Sequence, residues 1–383
     1  MKNTNSIFIF AGEQSGDLLG SALVSDIKQA FPHLAIDGVG GKLLRSQGLN
    51  SIMDLESFQT MGFINIVKRL PFFFSSFFKI KRYILKTRPV LVILIDYPGF
   101  NLRMAKALKK AKFASPIVQY VCPSVWAWGK KRIPLMETYL DSLMTILPFE
   151  PALFNREKLC VDYVGHPLSK NKTLLINKDQ KEKPETVALF PGSRSHEIQN
   201  NLPIMLAALK KIHLDHPHIQ FCLVAASEKS LSLIKPILLK YNLDITIKPH
   251  NQLQEVLGSS DLALATSGTI TLEIAMAEIP TVVIYHVSPL DVFLAKKVFK
   301  VNLAFFSLPN IIAKKAIYTE LIGPNLTEES LTKALSSLID KPQLYQQTKK
   351  ECQLLKKQLD TPQRSSAFHF LQKHYSFLLN KKN

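Results

Sequence analysis

Four short segments of the 383-residue sequence hold residues whose types and spacing suit group-transfer chemistry. The first, Ala11-Gly12-Glu13-Gln14-Ser15-Gly16-Asp17, follows the apolar run Ser6–Ala11. Its glycines lie four apart and do not form the G-x-G-x-x-G dinucleotide pattern. Glu13 stands where a pyrophosphate would approach, so NAD or FAD binding is disfavoured here. A tight glycine turn still lets backbone approach a sugar. The plainer alternative is a βα turn with Asp17 near a helix N-terminus, where its charge suits the dipole. The second segment is Asp96-Tyr97-Pro98-Gly99-Phe100-Asn101, delivered by Val90–Ile95. Asp96 is the only acid between Ser57 and Met136, a stretch with fifteen basic residues. A carboxylate in such a cationic field stays ionised and can take a proton from a substrate hydroxyl. An Asx turn or helix cap is an equal alternative.

The other two segments lie in the second half. Val187–Phe190 ends in Pro191-Gly192-Ser193-Arg194, where backbone amides before a helix plus an arginine suit a diphosphate. Leu262–Ala265 leads into Thr266-Ser267-Gly268-Thr269, with Glu273 one helical turn in. Small residues there admit a phosphate or ribose, and Glu273 can bond ribose hydroxyls. An ordinary turn with a solvated arginine and an ordinary capped helix are the alternatives. Two such turns, with a lone carboxylate elsewhere, suggest a nucleotide-sugar transferase.

These segments need strands to deliver them. Predicted strands are Ser6–Ala11, Val90–Ile95, Ile117–Val121, Val187–Phe190, Gln220–Val224, Leu262–Ala265 and Thr281–Tyr285. Such β-branched runs read as parallel strands buried on both faces. Helices are predicted over Asp17–Phe31, Leu102–Lys112, Leu202–His213 and Leu272–Glu278. The alternation implies an α/β fold of two Rossmann-like, doubly wound domains, with a ligand site beyond the carboxyl ends of the strands, in a cleft between domains. The pattern breaks at the polar stretch His166–Glu185. The expected domains are 1–165, with the lone carboxylate and the basic phenylalanine-rich stretch, and 186–340, with the two small-residue turns. Helices over 341–383 pack back on the first domain.

Lys+Arg number 48 and Asp+Glu 30, a net charge of +18. The excess is local: 57–136 carries a net +14, 341–383 a net +7, and the remainder −3. The first basic stretch contains Phe72, Phe73, Phe74, Phe77 and Phe78, bracketed by Lys68, Arg69, Lys79, Lys81 and Arg82. This is the makeup of an interfacial helix, apolar for acyl chains and cationic for anionic head groups. A core helix with a solvated basic face is the alternative. Nucleic acid is disfavoured as a partner because no RNP, KH or helix-turn-helix pattern is present. Cys122, Cys160, Cys222 and Cys352 form no C-x-x-C pair and read as free thiols. No metal-binding spacing occurs, and neither metal nor cofactor is expected. No signal peptide is expected. No run reaches the ~20 apolar residues of a transmembrane helix.

Together these segments resemble the lipid-A-disaccharide synthases, GT-B glycosyltransferases of family 19. The resemblance rests on A-G-E-x-S-G-D at 11–17, Gly38-Val39-Gly40-Gly41, Met61-Gly62, the Asp96–Asn101 segment and Pro123-Ser124-Val125-Trp126-Ala127-Trp128. It continues through Leu147-Pro148-Phe149-Glu150, Gly165-His166-Pro167, Pro191–Arg194, Ser267–Thr269 and Leu308-Pro309-Asn310. It implies a hexosyltransferase that condenses UDP-2,3-diacylglucosamine with 2,3-diacylglucosamine 1-phosphate (lipid X), giving a β-1,6-linked disaccharide 1-phosphate and UDP with inversion. On that resemblance Asp96 is the base and Glu13 stands beside the acceptor. Gly192, Ser193, Arg194, Ser267, Gly268, Thr269, Glu273 and Asn310 form the donor site. The phenylalanines with Lys68, Arg69 and Lys79 meet acyl chains and an anionic membrane surface, peripherally, at the cytoplasmic face of the inner membrane. A homodimer is compatible with the family. Many members carry Asp at the position of Gly99 and Arg at that of His286. Two rivals share parts of the pattern. One is another GT-B enzyme, a peptidoglycan N-acetylglucosaminyltransferase or UDP-sugar 2-epimerase. The other is a non-catalytic cationic protein binding lipid or nucleic acid.

Overall fold

The computed structural model describes residues 6–55, 58, 70–127, 129–170, 184–287, 303–360 and 366–379. Lys68, Arg69, Met61-Gly62 and Trp128 lie outside the described residues, as does most of the 166–185 stretch. The chain divides into two compact units, Met1–Pro167 with Pro362–Asn383, and Leu168–Thr361.

Among the described residues the first unit holds seven parallel strands: β1 (Ser6–Ala11), β2 (Ala35–Gly40), β3 (Asn50–Asp54), β4 (Leu91–Ile95), β5 (Ile117–Tyr120), β6 (Ser142–Thr145) and β7 (Cys160–Tyr163). Their order is β3-β2-β1-β4-β5-β6-β7. Its helices are α1 (Gln14–Ala30), α2 (Lys42–Ser46), α3 (Leu70–Thr87), α4 (Pro98–Lys110) and α5 (Ile133–Tyr139). The second unit holds β8 (Thr186–Phe190), β9 (Gln220–Ala225), β10 (Ile245–Pro249), β11 (Leu262–Thr266), β12 (Thr281–Tyr285) and β13 (Thr319–Ile322), in the order β10-β9-β8-β11-β12-β13. Its helices are α6 (Ser195–Asp215), α7 (Glu228–Leu238), α8 (Leu253–Ser259), α9 (Ile270–Met276), α10 (Leu308–Ala313), α11 (Glu328–Asp340) and α12 (Pro342–Leu359). α13 (Ala367–Leu379) belongs to the first unit.

All seven expected strands form, within a residue or so of their expected ends. The six others lack a continuous apolar run. β2 carries Asp37 and two glycines, β3 is a polar edge strand, and β6, β7, β10 and β13 are short and mixed. α4 starts at Pro98 rather than Leu102 because proline's fixed φ suits the first helical position and its missing N–H costs nothing there.

The central strands of the first sheet are buried on both faces, and period-two alternation sends their side chains to two separate cores. Ile7 and Ile9 face α1 and α13, among Leu23, Val24, Ile27, Phe370 and Leu371. Phe8 and Phe10 face α3 and α4, among Ile80, Ile84, Phe100 and Met104. Each such buried side chain contributes about 1.5–3 kcal/mol relative to exposure. The basic residues of α3 and the C-terminal helix α13 therefore lie on opposite faces of this sheet, and α12 packs within the second unit. The expectation that 341–383 returns whole to the first unit gives way to a division. Only α13 places its apolar stripe on that sheet.

Candidate active site

In each unit the strand order reverses direction between two adjacent strands, and the loops leaving their carboxyl ends part to opposite sides. Such switch points open a crevice for ligands. In the first unit the switch lies between β1 and β4, whose last paired residues are Ala11 and Ile95. Glu13 follows one strand and Asp96 the other.

Asp96 and Tyr97 both adopt left-handed backbone, at φ 50° and 45°. Each such non-glycine costs on the order of 1 kcal/mol and persists only where its surroundings hold it. Two buried amides do so. Asn101 Nδ2 donates to the Asp96 carbonyl at 2.5 Å, and Gln119 Nε2 donates to the same oxygen at 3.0 Å. Gln119 also donates to the Val121 carbonyl at 3.2 Å. The Asp96 carboxylate accepts the Ser15 hydroxyl on Oδ2 at 3.0 Å. Its Oδ1 has no protein partner among the described residues. Burial, and then the Asp96 charge, push the Glu13 carboxyl above its usual range; burial, and then Glu13, do the same to the Tyr97 phenol. Gly12 is required for this packing: a Cβ there would stand 2.8 Å from the Tyr97 ring.

A pocket of about 460 Å³ adjoins these groups, bounded by Glu13, Tyr97–Phe100 and Arg103, and by Phe73, Phe74, Phe77 and Phe78 of α3. α3 divides its phenylalanines. Phe72 and Phe73 pack on Phe58 at ring distances of 5.5 and 6.2 Å, and Phe77 packs on Phe100 at 5.5 Å. Phe74 and Phe78 are 62% and 58% exposed. The helix thus has a core face and an outer face that exposes two phenylalanines. Phe72 does not line the pocket, and Lys79 lines a separate basic recess with Arg82 and Lys86.

Three residues of the first motif have three different tasks. Glu13 lines the pocket, Ser15 holds Asp96, and Asp17 does neither. The Asp17 carboxylate is buried and accepts the N–H groups of Gly41, Leu43 and Leu44 at 2.7, 3.1 and 3.1 Å. From the first turn of α1 it caps α2, 24 or more residues away. Glu150 is a further buried carboxyl that sequence reasoning left without a role. It is 1% exposed, accepts Leu147 N–H at 3.0 Å, and is pushed by burial up to about 8. The Cys122 thiol neighbours it and is itself raised by burial.

In the second unit the switch lies between β8 and β11. A pocket of about 360 Å³ there gathers Gly192, Ser193, Arg194, Ser267, Gly268, Thr269 and Glu273. Two details differ from the sequence expectation. The amides of Ser193 and Arg194 already donate to Glu197 Oε2, at 3.0 and 3.2 Å, and Arg194 Nη1 donates to Glu197 Oε1 at 2.6 Å. Glu197 is 4% exposed, so the first turn is filled from within, while the arginine stays largely in solvent. Gly192 sits at φ 110°, and a Cβ there would also strike Glu197. In the second turn the Gly268 and Thr269 N–H groups have no hydrogen-bond partner among the described residues. Burial raises the Glu273 carboxyl.

Asn310 is a correction. It is fully buried outside this pocket: Nδ2 donates to Tyr318 O and Glu320 Oε1, and Oδ1 accepts Ile317 and Tyr318 N–H, all at 2.8 Å. No capacity remains for a ligand. Its effect on the pocket is indirect, since Glu320 also binds Ser307, beside the Phe306 carbonyl that accepts Ser267 Oγ. His250, at the end of β10, lines the pocket and was missed because β10 has no continuous apolar run to announce it. The exposed His286 follows β12, and its N–H is held by Asn201 Oδ1 at 2.9 Å.

The family model for lipid-A-disaccharide synthetase matches residues 7–374. The lipid-A-disaccharide synthase of Chlamydia pneumoniae is 38% identical over 372 residues, 94% of this chain and 61% of that protein. The chain thus spans about three-fifths of the length of that chlamydial relative. The Coxiella burnetii (strain Dugway 5J108-111) protein of the same name is 36% identical over 346 residues, 88% of this chain and 90% of that one. Among solved structures, MurG of Acinetobacter baumannii superposes with a TM-score of 0.56 at 15% identity, covering 93% of this chain and 98% of that one. CalG4, the calicheamicin glycosyltransferase, gives 0.58 at 14% identity, covering 98% and 99%. At such identities the likeness concerns the fold, two Rossmann-like units of the GT-B class. With a match that runs through both units and both switch-point segments, the chain belongs to the lipid-A-disaccharide synthetase family.

Proposed function

We propose that the protein is an inverting glycosyltransferase that joins UDP-2,3-diacylglucosamine to 2,3-diacylglucosamine 1-phosphate. The observation that carries the reading is the family match over 7–374, which includes Asp96 with its free Oδ1 beside an apolar pocket. Asp96 takes the proton of the acceptor 6-hydroxyl. The oxygen attacks the anomeric carbon, the bond from that carbon to the diphosphate oxygen breaks, and its electron pair leaves with UDP. Ser15 holds one carboxylate oxygen and so turns the other toward the acceptor. In the second unit the Arg194 guanidinium and the Gly268 and Thr269 amides take the charge that develops on the diphosphate. Glu273 receives ribose hydroxyls. The aromatic pocket takes an acyl chain.

Among the described residues no helix is long and apolar enough to cross a membrane. Attachment is peripheral in this reading, at the cytoplasmic face of the inner membrane, with Phe74 and Phe78 entering the lipid. The test is UDP release from the purified protein with both substrates. Wild-type protein that releases none sinks the reading. Near-normal turnover of Asp96→Ala would remove Asp96 as the base and leave the rest standing.

A further inference from the structure

We propose that Arg103 binds the phosphate monoester of the acceptor, so that the pocket between α3 and α4 selects acyl sugars that carry this anion. The proposal rests on the transferase reading above. The pocket wall is largely aromatic, and among the described residues Glu13 and Arg103 are its only charged lining residues. Arg103 is exposed and has neither hydrogen bond nor ion pair among the described residues. Two other cations of the same helix are engaged: Lys109 pairs with Asp141 at 2.8 Å, and Lys106 lies 5.6 Å from the centre of the Tyr139 ring. Gly99 precedes Arg103 by four residues on α4, hence on the same helix face. A Cβ at Gly99 would meet nothing within 4 Å among the described residues.

Charge decides what such a pocket admits. A phosphate monoester carries roughly −1.5 to −2 at pH 7. An acceptor entering beside Glu13 and Asp96 brings that anion toward two carboxyl groups. Without a cation the approach is repelled. The donor diphosphate has Arg194 and two free amides in the second unit, whereas among the described residues the cation in the acceptor pocket lining is Arg103. A guanidinium fork matches two phosphate oxygens at once, and the aromatic wall holds the acyl chain that brings the head group to it.

The experiment measures UDP release with lipid X and with its dephosphorylated counterpart, 2,3-diacylglucosamine, in neutral-detergent micelles free of phospholipid. Arg103→Gln is expected to raise KM for lipid X about 10- to 100-fold and to change KM for the dephosphorylated acceptor less than about twofold. Arg103→Lys should fall between, because it keeps the charge and loses the fork. Equal effects on both acceptors, or none on lipid X, would overturn the proposal. So would a defect that appears only with anionic phospholipid vesicles, which would assign Arg103 to bilayer head groups. Wild-type protein inactive with either acceptor defeats the transferase reading itself, a result distinct from a missing Arg103 effect. Arg103 is exposed, so an unchanged melting temperature is the expected check on folding.

Discussion

The two switch points are built on the same plan and furnished in opposite ways. In the first unit the crevice is lined by aromatic rings, and its carboxylate stands on left-handed backbone held by two buried amides. In the second unit it is lined by small polar residues and an arginine, and its positive φ falls on a glycine, which accepts it without strain. Strand order selects where a site can form. The few residues after each strand select its chemistry, here aromatic rings beside carboxyl groups and there small polar residues beside an arginine.

Substitutions separate the two sites. The largest effect expected is that of Asp96→Ala, about 10³-fold in kcat with little change in KM for the nucleotide sugar. Arg194→Ala should cost about 10²-fold and act through the nucleotide sugar, since one of two kinds of diphosphate partner is lost. If Arg194→Ala altered only the acceptor KM, the division of labour would fail. A smaller effect belongs to the outer face of α3. Phe74→Ser with Phe78→Ser should weaken liposome binding about tenfold and leave the melting temperature near wild type, because both rings are more than half exposed. Phe72 and Phe73 substitutions should instead unfold the unit, as their rings pack on Phe58. Unchanged flotation of the Phe74/Phe78 variant would make α3 a core helix alone.

The last expected effect is on stability with pH. Glu150 keeps its proton up to about 8 when folded, against an ordinary value near 4.5. Between those values the unfolded chain has lost the proton that the folded chain retains. The stability of the first unit should therefore fall as pH rises from about 5 to 8, by on the order of a few kcal/mol. Glu150→Gln should flatten that slope in melting curves taken at pH 5.5 and 8. A parallel slope in the variant would mean that another group is responsible.

The sequence already contained both switch-point segments and the seven central strands, because continuous apolar runs and the turns that follow them are local signals. Other features depend on distance. Asp17 reads as part of a catalytic motif until Gly41 and Leu44 are seen to donate to it. The Gly192–Arg194 turn reads as an anion site until Glu197, three residues past the turn, is found to hold two of its amides. Asn310 reads as a pocket residue until its four bonds are counted. No pattern within Asp96–Asn101 reveals that Gln119, on the neighbouring strand β5, secures its carbonyl.

The placement of α13 has a consequence for synthesis. Phe370, Leu371, Tyr375 and Leu379 complete one face of the first sheet, yet they are made after the whole of the second unit. At about 5–20 residues per second, the roughly 200 intervening residues take on the order of 10–40 s to emerge. Through that interval the face formed by Ile7, Ile9, Ile93 and their neighbours lacks its last helix. The second unit can close first. On the ribosome, the half of the protein that begins first is the half that finishes last.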